Sequence, residues 1–252
     1  MKFIKTLLLT GTTLLVMSFS SLASAHATDQ SLSPAPTMGF IGDSIAAGWT
    51  GTAYNLNQAY PDYLRQDLGL TAEQLINYSV PHARIVGNRY ADCRLGKHTG
   101  QDMRNQILQH KTTIAHLKTL YLALGINDYA PNRVSGSLSH ISQTLIRYIR
   151  YIKRLNPTIQ LYGVLPLVGY SIHGNSFDKV PNDRHFTLKQ LRTKLARSYT
   201  QEHVMTINPN QAHLITARNR YTTLADYRMH PTVATNQKLA RYMANTVTQF
   251  KP

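Results

Sequence analysis

The sequence predicts an α/β protein in which a mainly parallel β-sheet is covered by helices on both faces. Short apolar segments alternate along the chain with longer segments whose apolar residues recur at helical spacing. The segment Leu120–Leu124 (LYLAL) is apolar throughout, as expected for a central parallel strand that is buried on both faces. No internal repeat, Gly/Ser linker or charge block divides the sequence, which indicates one folded domain.

The predicted elements follow in order from the first apolar segment. Thr37–Ile41 is a short apolar run that stops at a glycine, and the helix Ile141–Leu155 ends at Asn156-Pro157, a typical helix terminator. The other predicted strands and helices are, in chain order, helix 60–68, strand 74–80, helix 101–117, strand 120–124, strand 159–165, helix 188–199, strand 204–207 and helix 236–250. Because ligand sites gather at the carboxyl ends of parallel strands, functional residues are expected there.

The N-terminus has the three-part pattern of a secretory signal peptide. Lys2 and Lys5 precede a mostly apolar run, and A-x-A sequences end at Ala25 and Ala27. The apolar run is too short to span a bilayer comfortably; an uncleaved membrane anchor is the alternative. We therefore expect residues 1–27 to be removed, residues 28–36 to form a flexible lead-in, and residues 37–252 to fold outside the cytoplasm, secreted or associated with the cell wall.

The charge of the chain points to anionic partners. Removing the two lysines of the signal lowers the formal net charge of +15 by two, to +13. For an exported protein, anionic wall polymers or lipid headgroups fit this charge better than nucleic acid, because the basic residues are spread out without an RNA-binding segment. A local cluster fits either a solvated helix face or a docking patch; its members are Arg147, Arg150, Lys153 and Arg154. The single cysteine, Cys93, excludes an intramolecular disulfide.

Residues suited to nucleophilic catalysis follow two of the predicted strands. Gly42, Asp43 and Ser44 come directly after the first strand, on a tight turn that would project the serine hydroxyl into a cleft. Gly125 and Asn127 follow the third strand and would place a side-chain amide donor on the same rim. Each short pattern alone is more often an ordinary turn, so the prediction depends on their combination at strand ends.

A histidine loop before the last helix completes the combination. His230 lies between Asp226 and the closing helix, where its imidazole could reach Ser44. A serine hydroxyl needs a base to take its proton, and the same imidazole can then protonate the leaving alcohol. The tetrahedral oxyanion needs fixed donors, for which Asn127 Nδ2 and the Ser44 backbone N–H are the natural candidates.

Three segments resemble conserved blocks of the GDSL/SGNH hydrolase family: FIGDSIAAG, LALGIND and the segment beginning HPTVATNQKLA. The resemblance extends over essentially the whole mature chain. It implies a flavodoxin-like three-layer α/β/α sandwich and hydrolysis of esters without a metal or other cofactor. By position it implies Ser44 as nucleophile, Asn127 as oxyanion donor and His230 as base. The residues that would support these motifs are Gly42, Asp43 and Gly125.

Two positions depart from the family pattern. His82 occupies the second-block position where the family usually has a glycine whose N–H completes the oxyanion hole, unless the match is slipped and His82 is an ordinary loop residue. The family also spaces the acid as D-x-x-H, whereas Asp226 precedes His230 by four residues. Either a longer loop still brings Asp226 behind His230, or a Ser-His dyad works with a backbone carbonyl.

Other functions are less consistent with the sequence. It lacks a G-x-S-x-G elbow and convincing metal-ligand spacing, which argues against the α/β-hydrolase and metal-hydrolase classes. A non-catalytic wall- or glycan-binding protein on a hydrolase scaffold remains the alternative. The substrate stays open among acylated wall glycans, short acyl esters and lipids. Trp49 and Tyr54 could line its pocket, and residues 168–184 could form a substrate loop.

Overall fold

The computed structural model describes residues 35–55, 57–87, 102–129 and 136–249. The predicted signal peptide, most of the predicted lead-in and Cys93 lie outside the described residues. Within them the strands and helices alternate as the sequence pattern predicts. The strands are β1 Met38–Gly42, β2 Leu75–Asn77, β3 Thr119–Ala123, β4 Gln160–Val164 and β5 Met205–Ile207, and the α-helices are α1 Tyr60–Asp67, α2 Met103–Gln109, α3 Lys111–Ile114, α4 Ile126–Tyr129, α5 Leu138–Leu155, α6 Leu188–Gln201, α7 Arg220–Thr223 and α8 Val233–Gln249.

The five strands form one parallel sheet in the order β2-β1-β3-β4-β5. The longest pairing joins β1 to β3, from Met38 opposite Thr119 to Gly42 opposite Ala123. Because all strands run the same way, their carboxyl ends share one edge of the sheet. The ends of β1 and β3, where the serine and asparagine motifs begin, are neighbours there.

Helices cover both faces of this sheet, which gives the three-layer α/β/α arrangement. On one face, Phe40 of β1 packs edge-on against Tyr60 of α1, and α1 in turn packs against α8. On the other face, Tyr199 of α6 fills the space beside Gly163, whose added Cβ would lie 2.4 Å from its ring. Helix α6 packs against α5. The predicted fold class is therefore confirmed.

Some predicted boundaries differ from the structure. The single helix predicted over 101–117 is two helices within the described residues, because the chain turns at His110, where φ is −116° and ψ is 16°. The strand predicted over 74–80 is regular only over β2, although Tyr78 N–H still donates to Phe40 O at 2.9 Å. The one-turn helices α4 and α7 were not predicted, since four residues are too few for a periodic pattern.

Among the helices of the described residues, none combines the length and the apolar composition needed to cross a bilayer.

Candidate active site

The turn after β1 places Ser44 at the carboxyl edge of the sheet. The turn is closed by the Ala47 N–H, which donates to Asp43 O at 3.0 Å. Gly42 is required before it, because an added Cβ would lie 2.7 Å from Ala46 Cβ, which cannot rotate away. The Gln106 carboxamide holds the backbone of Gly42 from both sides, accepting from its N–H at 3.2 Å and donating to its carbonyl at 3.0 Å.

Ser44 and His230 are separated by 186 residues in sequence but meet in space. The hydroxyl oxygen of Ser44 lies 3.0 Å from His230 Nε2. On the other side of the ring, His230 Nδ1 lies 2.7 Å from Asp226 Oδ2. A proton on Nδ1 is stabilised by the carboxylate, which leaves Nε2 as the acceptor for the serine O–H. Ser44, His230 and Asp226 thus form a continuous hydrogen-bonded series.

The loop that carries His230 accommodates the four-residue spacing through one unusual backbone position. Tyr227 adopts φ 60°, in the left-handed region, directly after Asp226, and with this turn of the backbone the Asp226 carboxylate reaches His230 across the four-residue spacing. The loop is closed by the Ala225 N–H, which donates to His230 O at 2.7 Å. The carboxylate therefore occupies the position behind the imidazole that a backbone carbonyl would take in the dyad alternative.

Asp226 also organises the backbone of this loop. Its Oδ1 accepts from the N–H groups of Arg228, Met229 and His230 at 2.9, 2.9 and 3.0 Å. Partial burial alone would raise the pKa of the Asp226 carboxyl. The hydrogen bonds from the imidazole and from the Met229 and His230 N–H groups outweigh it, so that the pKa lies well below the ordinary value for aspartate.

The segment after β3 brings Asn127 to the same edge of the sheet. Gly125 has φ 133°, and an added Cβ would lie 2.8 Å from Pro166 Cγ, so only glycine fits this turn. One hydrogen of Asn127 Nδ2 is donated to Ala83 O at 3.0 Å, and a primary amide carries a second. The amide group that was predicted as an oxyanion donor is thereby held against the loop that carries His82.

The loop around His82 has the backbone that a glycine would favour. His82 is exposed and adopts φ 65°, in the left-handed region. The loop is anchored by Asp128, a buried carboxylate that accepts from the N–H groups of Ile85 and Val86 at 2.9 and 3.1 Å. Its contact with Asn127 and its glycine-like φ favour the predicted alignment of His82 with the second-block glycine over a slipped match.

Asp43 has surroundings unlike those of Asp226. The side chain is buried, accepts one hydrogen bond from Ile45 N–H at 3.0 Å, and borders a small cavity of about 30 Å³ whose other walls are almost entirely apolar. Burial raises the pKa of the Asp43 carboxyl to about 7; the Ile45 N–H opposes this shift, and the nearby charge of Asp128 adds to it. The residue beside the serine is thus a poorly solvated carboxyl group.

Two further segments border the histidine loop. Trp49 and Tyr54, predicted as possible pocket residues, form an edge-to-face pair with ring centroids 4.9 Å apart. Between them, an added Cβ at Gly51 would lie 2.8 Å from Asp226 Cβ, so this segment packs directly on the acid. The predicted substrate loop is joined to the same region by the Tyr170 N–H, which donates to Arg228 O at 2.8 Å.

Two residues that hold the site were not identified from the sequence. Gln106 lies between Met103 and Ile107 on the buried side of α2, and a polar residue on an apolar helix face was the available signal. Asp128 follows Asn127 directly, and nothing in the sequence shows that it bonds a loop more than 40 residues away. Among the residues that the structure describes, no cluster of three or more His, Cys, Asp or Glu side chains could hold a metal ion.

The model of the GDSL-like lipase/acylhydrolase family matches residues 40–238, which confirms the resemblance seen in three short segments. A comparison with curated proteins gave no significant match.

Solved structures of similar fold share little sequence with the chain. One is a protein from Lactobacillus plantarum (TM-score 0.65, 17% identity, covering 88% of this chain and 100% of that one). Another is a carbohydrate acetylesterase family member from Sinorhizobium meliloti (TM-score 0.60, 17% identity, covering 85% of this chain and 98% of that one). A third is a family two carbohydrate esterase from Clostridium thermocellum in complex with cellohexaose (TM-score 0.57, 13% identity, covering 86% of this chain and 66% of that one). At these identities the likeness shows the fold.

Proposed function

The chain belongs to the GDSL-like lipase/acylhydrolase family, and on this premise we propose that it is a secreted serine esterase that hydrolyses carboxylic esters. The observation that carries the proposal is the hydrogen-bonded series from Ser44 Oγ through the His230 imidazole to the Asp226 carboxylate. A protein that only binds a ligand has no need of this geometry. The series supports the hypothesis of a catalytic protein over that of a non-catalytic wall- or glycan-binding protein on the same scaffold.

Hydrolysis would proceed in two steps. Ser44 Oγ attacks the ester carbonyl carbon while His230 Nε2 takes the hydroxyl proton, and the collapsing tetrahedral intermediate expels the alcohol, which receives that proton. A water molecule then attacks the acyl-enzyme, again losing a proton to His230, and the carboxylic acid leaves as Ser44 regains its proton. Asp226 holds Nδ1–H throughout and stabilises the imidazolium that forms twice in the cycle.

The oxyanion of each tetrahedral intermediate needs fixed donors. We assign this role to the Ser44 N–H, the second hydrogen of Asn127 Nδ2 and the His82 N–H. The left-handed backbone at His82 supports the last assignment, because glycine adopts this conformation most readily and the resemblance places a glycine at this position. Removal of one donor of this kind lowers kcat by about 10²- to 10³-fold, so Asn127→Ala is expected to fall in that range.

Acylated glycans and short acyl esters are the proposed substrates. The carbohydrate esterases of similar fold support a sugar-borne acyl group, and the net charge of +15 supports an anionic surrounding such as a cell wall. The signal-like N-terminus supports export. A panel of acetylated glycans set against acyl esters of rising chain length would rank these substrates by kcat/KM.

Labelling by a fluorophosphonate probe, together with p-nitrophenyl acetate hydrolysis, tests the esterase proposal directly. The wild-type protein is expected to be labelled at Ser44 and to hydrolyse the ester, and Ser44→Ala is expected to lose both properties while remaining folded. Ser139→Ala, at an exposed serine of α5, is the matched control and should behave as wild type. A folded wild-type protein that neither labels nor hydrolyses any ester of the panel would overturn the proposal in favour of the binding protein.

A further inference from the structure

The basic cluster predicted on one helix divides into two groups that face different ways. Arg150 forms a two-pronged ion pair with Glu202, and Lys153 donates to the Glu202 carbonyl, so these two residues bind α5 to the end of α6. Arg147 and Arg154 lie on another side of α5, together with Tyr148 and Tyr151. The first pair has a structural partner, and the second pair borders a groove.

This groove runs between α5 and α2 and has a volume of about 240 Å³. Helix α2 adds Arg104 and the exposed apolar residue Leu108 to its wall. Within the part of the chain that the structure describes, the ion pairs involve other residues, and none joins an acidic side chain to Arg104, Arg147 or Arg154. Three exposed guanidinium groups thus border one apolar-floored groove without a salt bridge to a carboxylate, and among the described residues the one acidic side chain that interacts with Arg104 is the buried Asp102, at the N-terminus of α2.

We propose that this groove, here called the α2–α5 groove, binds an extended polyanion in which phosphodiester groups alternate with short polyol segments that carry no bases. Guanidinium groups match phosphate oxygens in charge and in fork geometry. Arg147 and Arg154 are seven residues apart on the helix, which separates their Cα atoms by about 10 Å along its axis. Guanidinium groups spaced in this way fit an extended chain better than a single ion. The Tyr148 and Tyr151 rings, both half-buried, form the apolar floor on which the carbon atoms of such a chain would lie.

The groove is connected to the serine through α2. Arg104 and Leu108 face the groove, whereas Gln106 on the same helix bonds both backbone groups of Gly42, next to the nucleophile turn. A polymer bound in the groove would therefore be held on the protein surface by a helix that also supports the site. Binding itself does not depend on the esterase proposal, because none of the groove residues belongs to the serine–histidine–aspartate series.

The test measures binding of synthetic poly(glycerol phosphate) to the full chain carrying Ser44→Ala, so that hydrolysis cannot affect the result. Arg147→Gln with Arg154→Gln should weaken binding by about 30-fold, since each cation near an anionic surface contributes about five- to sixfold. The slope of log Kd against log salt should fall by about 1.5, as two phosphate contacts are lost. Lys238→Gln with Arg241→Gln is the matched control, which removes the same charge from exposed positions on α8, in the layer on the opposite face of the sheet.

Each result has a defined meaning. Weakening confined to the α5 pair supports the groove as the binding site, and circular dichroism must show that this variant is folded. Equal weakening in both pairs would overturn the proposal, because binding would then follow net charge alone. Groove-dependent binding that is tighter to phosphatidylglycerol vesicles or to a single-stranded oligonucleotide than to the polymer would also overturn it and assign the groove to a membrane or a nucleic acid. Competition by inorganic phosphate at millimolar concentration would indicate a single-ion site and contradict an extended ligand.

Discussion

The turn that carries Ser44 and the loop that carries His230 each place an aspartate near the same serine, yet the two carboxyl groups behave oppositely. Asp43 is buried beside an almost wholly apolar cavity with one backbone N–H, and its pKa is raised to about 7. Asp226 is bonded by three backbone N–H groups and an imidazole, and its pKa is lowered. Bonded donors, and not proximity to the serine, therefore decide which carboxyl group is charged.

Of the two aspartates, Asp226 should matter far more for catalysis, and Asp226→Asn should show it. An amide at this position cannot stabilise the imidazolium and favours the wrong tautomer of His230, so kcat/KM should fall by about 10³- to 10⁴-fold. Steady-state hydrolysis of p-nitrophenyl acetate measures the loss. Asp67→Asn, at an exposed position of α1, is the matched control and should retain wild-type activity. Activity of Asp226→Asn within tenfold of wild type would show that the site works as a serine–histidine dyad.

Asp43→Asn should affect stability more than chemistry. A pKa raised from 3.8 to about 7 means that the folded protein binds more protons than the unfolded chain between these values. Wild-type stability should therefore fall as pH rises from about 4 to about 7, whereas the Asn variant lacks this contribution. From pH about 4 to about 7, the free energy of unfolding of Asp43→Asn should therefore rise relative to that of wild type by up to about 4 kcal/mol. Urea unfolding at a series of pH values measures the gain, and a difference independent of pH would contradict the raised pKa.

Asp226→Asn should show the opposite pH dependence. Because the folded pKa of Asp226 lies below its unfolded value, the carboxylate contributes stability at neutral pH that is lost as the pH falls below about 4. On acidification, the free energy of unfolding of wild type should fall relative to that of Asp226→Asn. Relative to that of Asp43→Asn, the wild-type value should rise. The same unfolding series tests both signs, and parallel curves for wild type and Asp226→Asn would refute the assignment of the lowered pKa.

The smallest effect is expected from placing a glycine at the left-handed backbone position in each of the two loops. His82→Gly and Tyr227→Gly remove the steric cost of φ near +60° but increase the freedom of the unfolded chain, so the free energy of unfolding should rise by at most about 1 kcal/mol. Because His82→Gly keeps the backbone N–H in place, kcat should stay within about threefold of wild type if this N–H is an oxyanion donor. His82→Ala serves as the comparison, since it keeps the strain. A large loss of kcat in both His82 variants would show that the ring itself takes part.

Much of the fold and part of the site could be predicted from local patterns. Apolar runs and helical spacing located the five strands and the longer helices, because burial on a sheet face imposes those periods on the sequence itself. The positions of Ser44 and Asn127 followed from motifs at strand ends, because the carboxyl ends of parallel strands meet at one edge, and that of His230 followed from the loop before the last helix. Short elements such as α4 and α7 were missed, since four residues show no period.

The alternation of strands and helices, and the three motifs that meet at one edge of the sheet, could be predicted from the sequence alone. The remaining features depend on the tertiary structure, because each requires contacts between residues far apart in the chain. It placed Asp226 behind His230 through the kink at Tyr227, joined Gln106 to Gly42, and paired Arg150 with Glu202 while leaving Arg147 and Arg154 to the α2–α5 groove. A linear pattern records which residues are present, whereas the state and the role of a charge depend on the groups that folding brings around it.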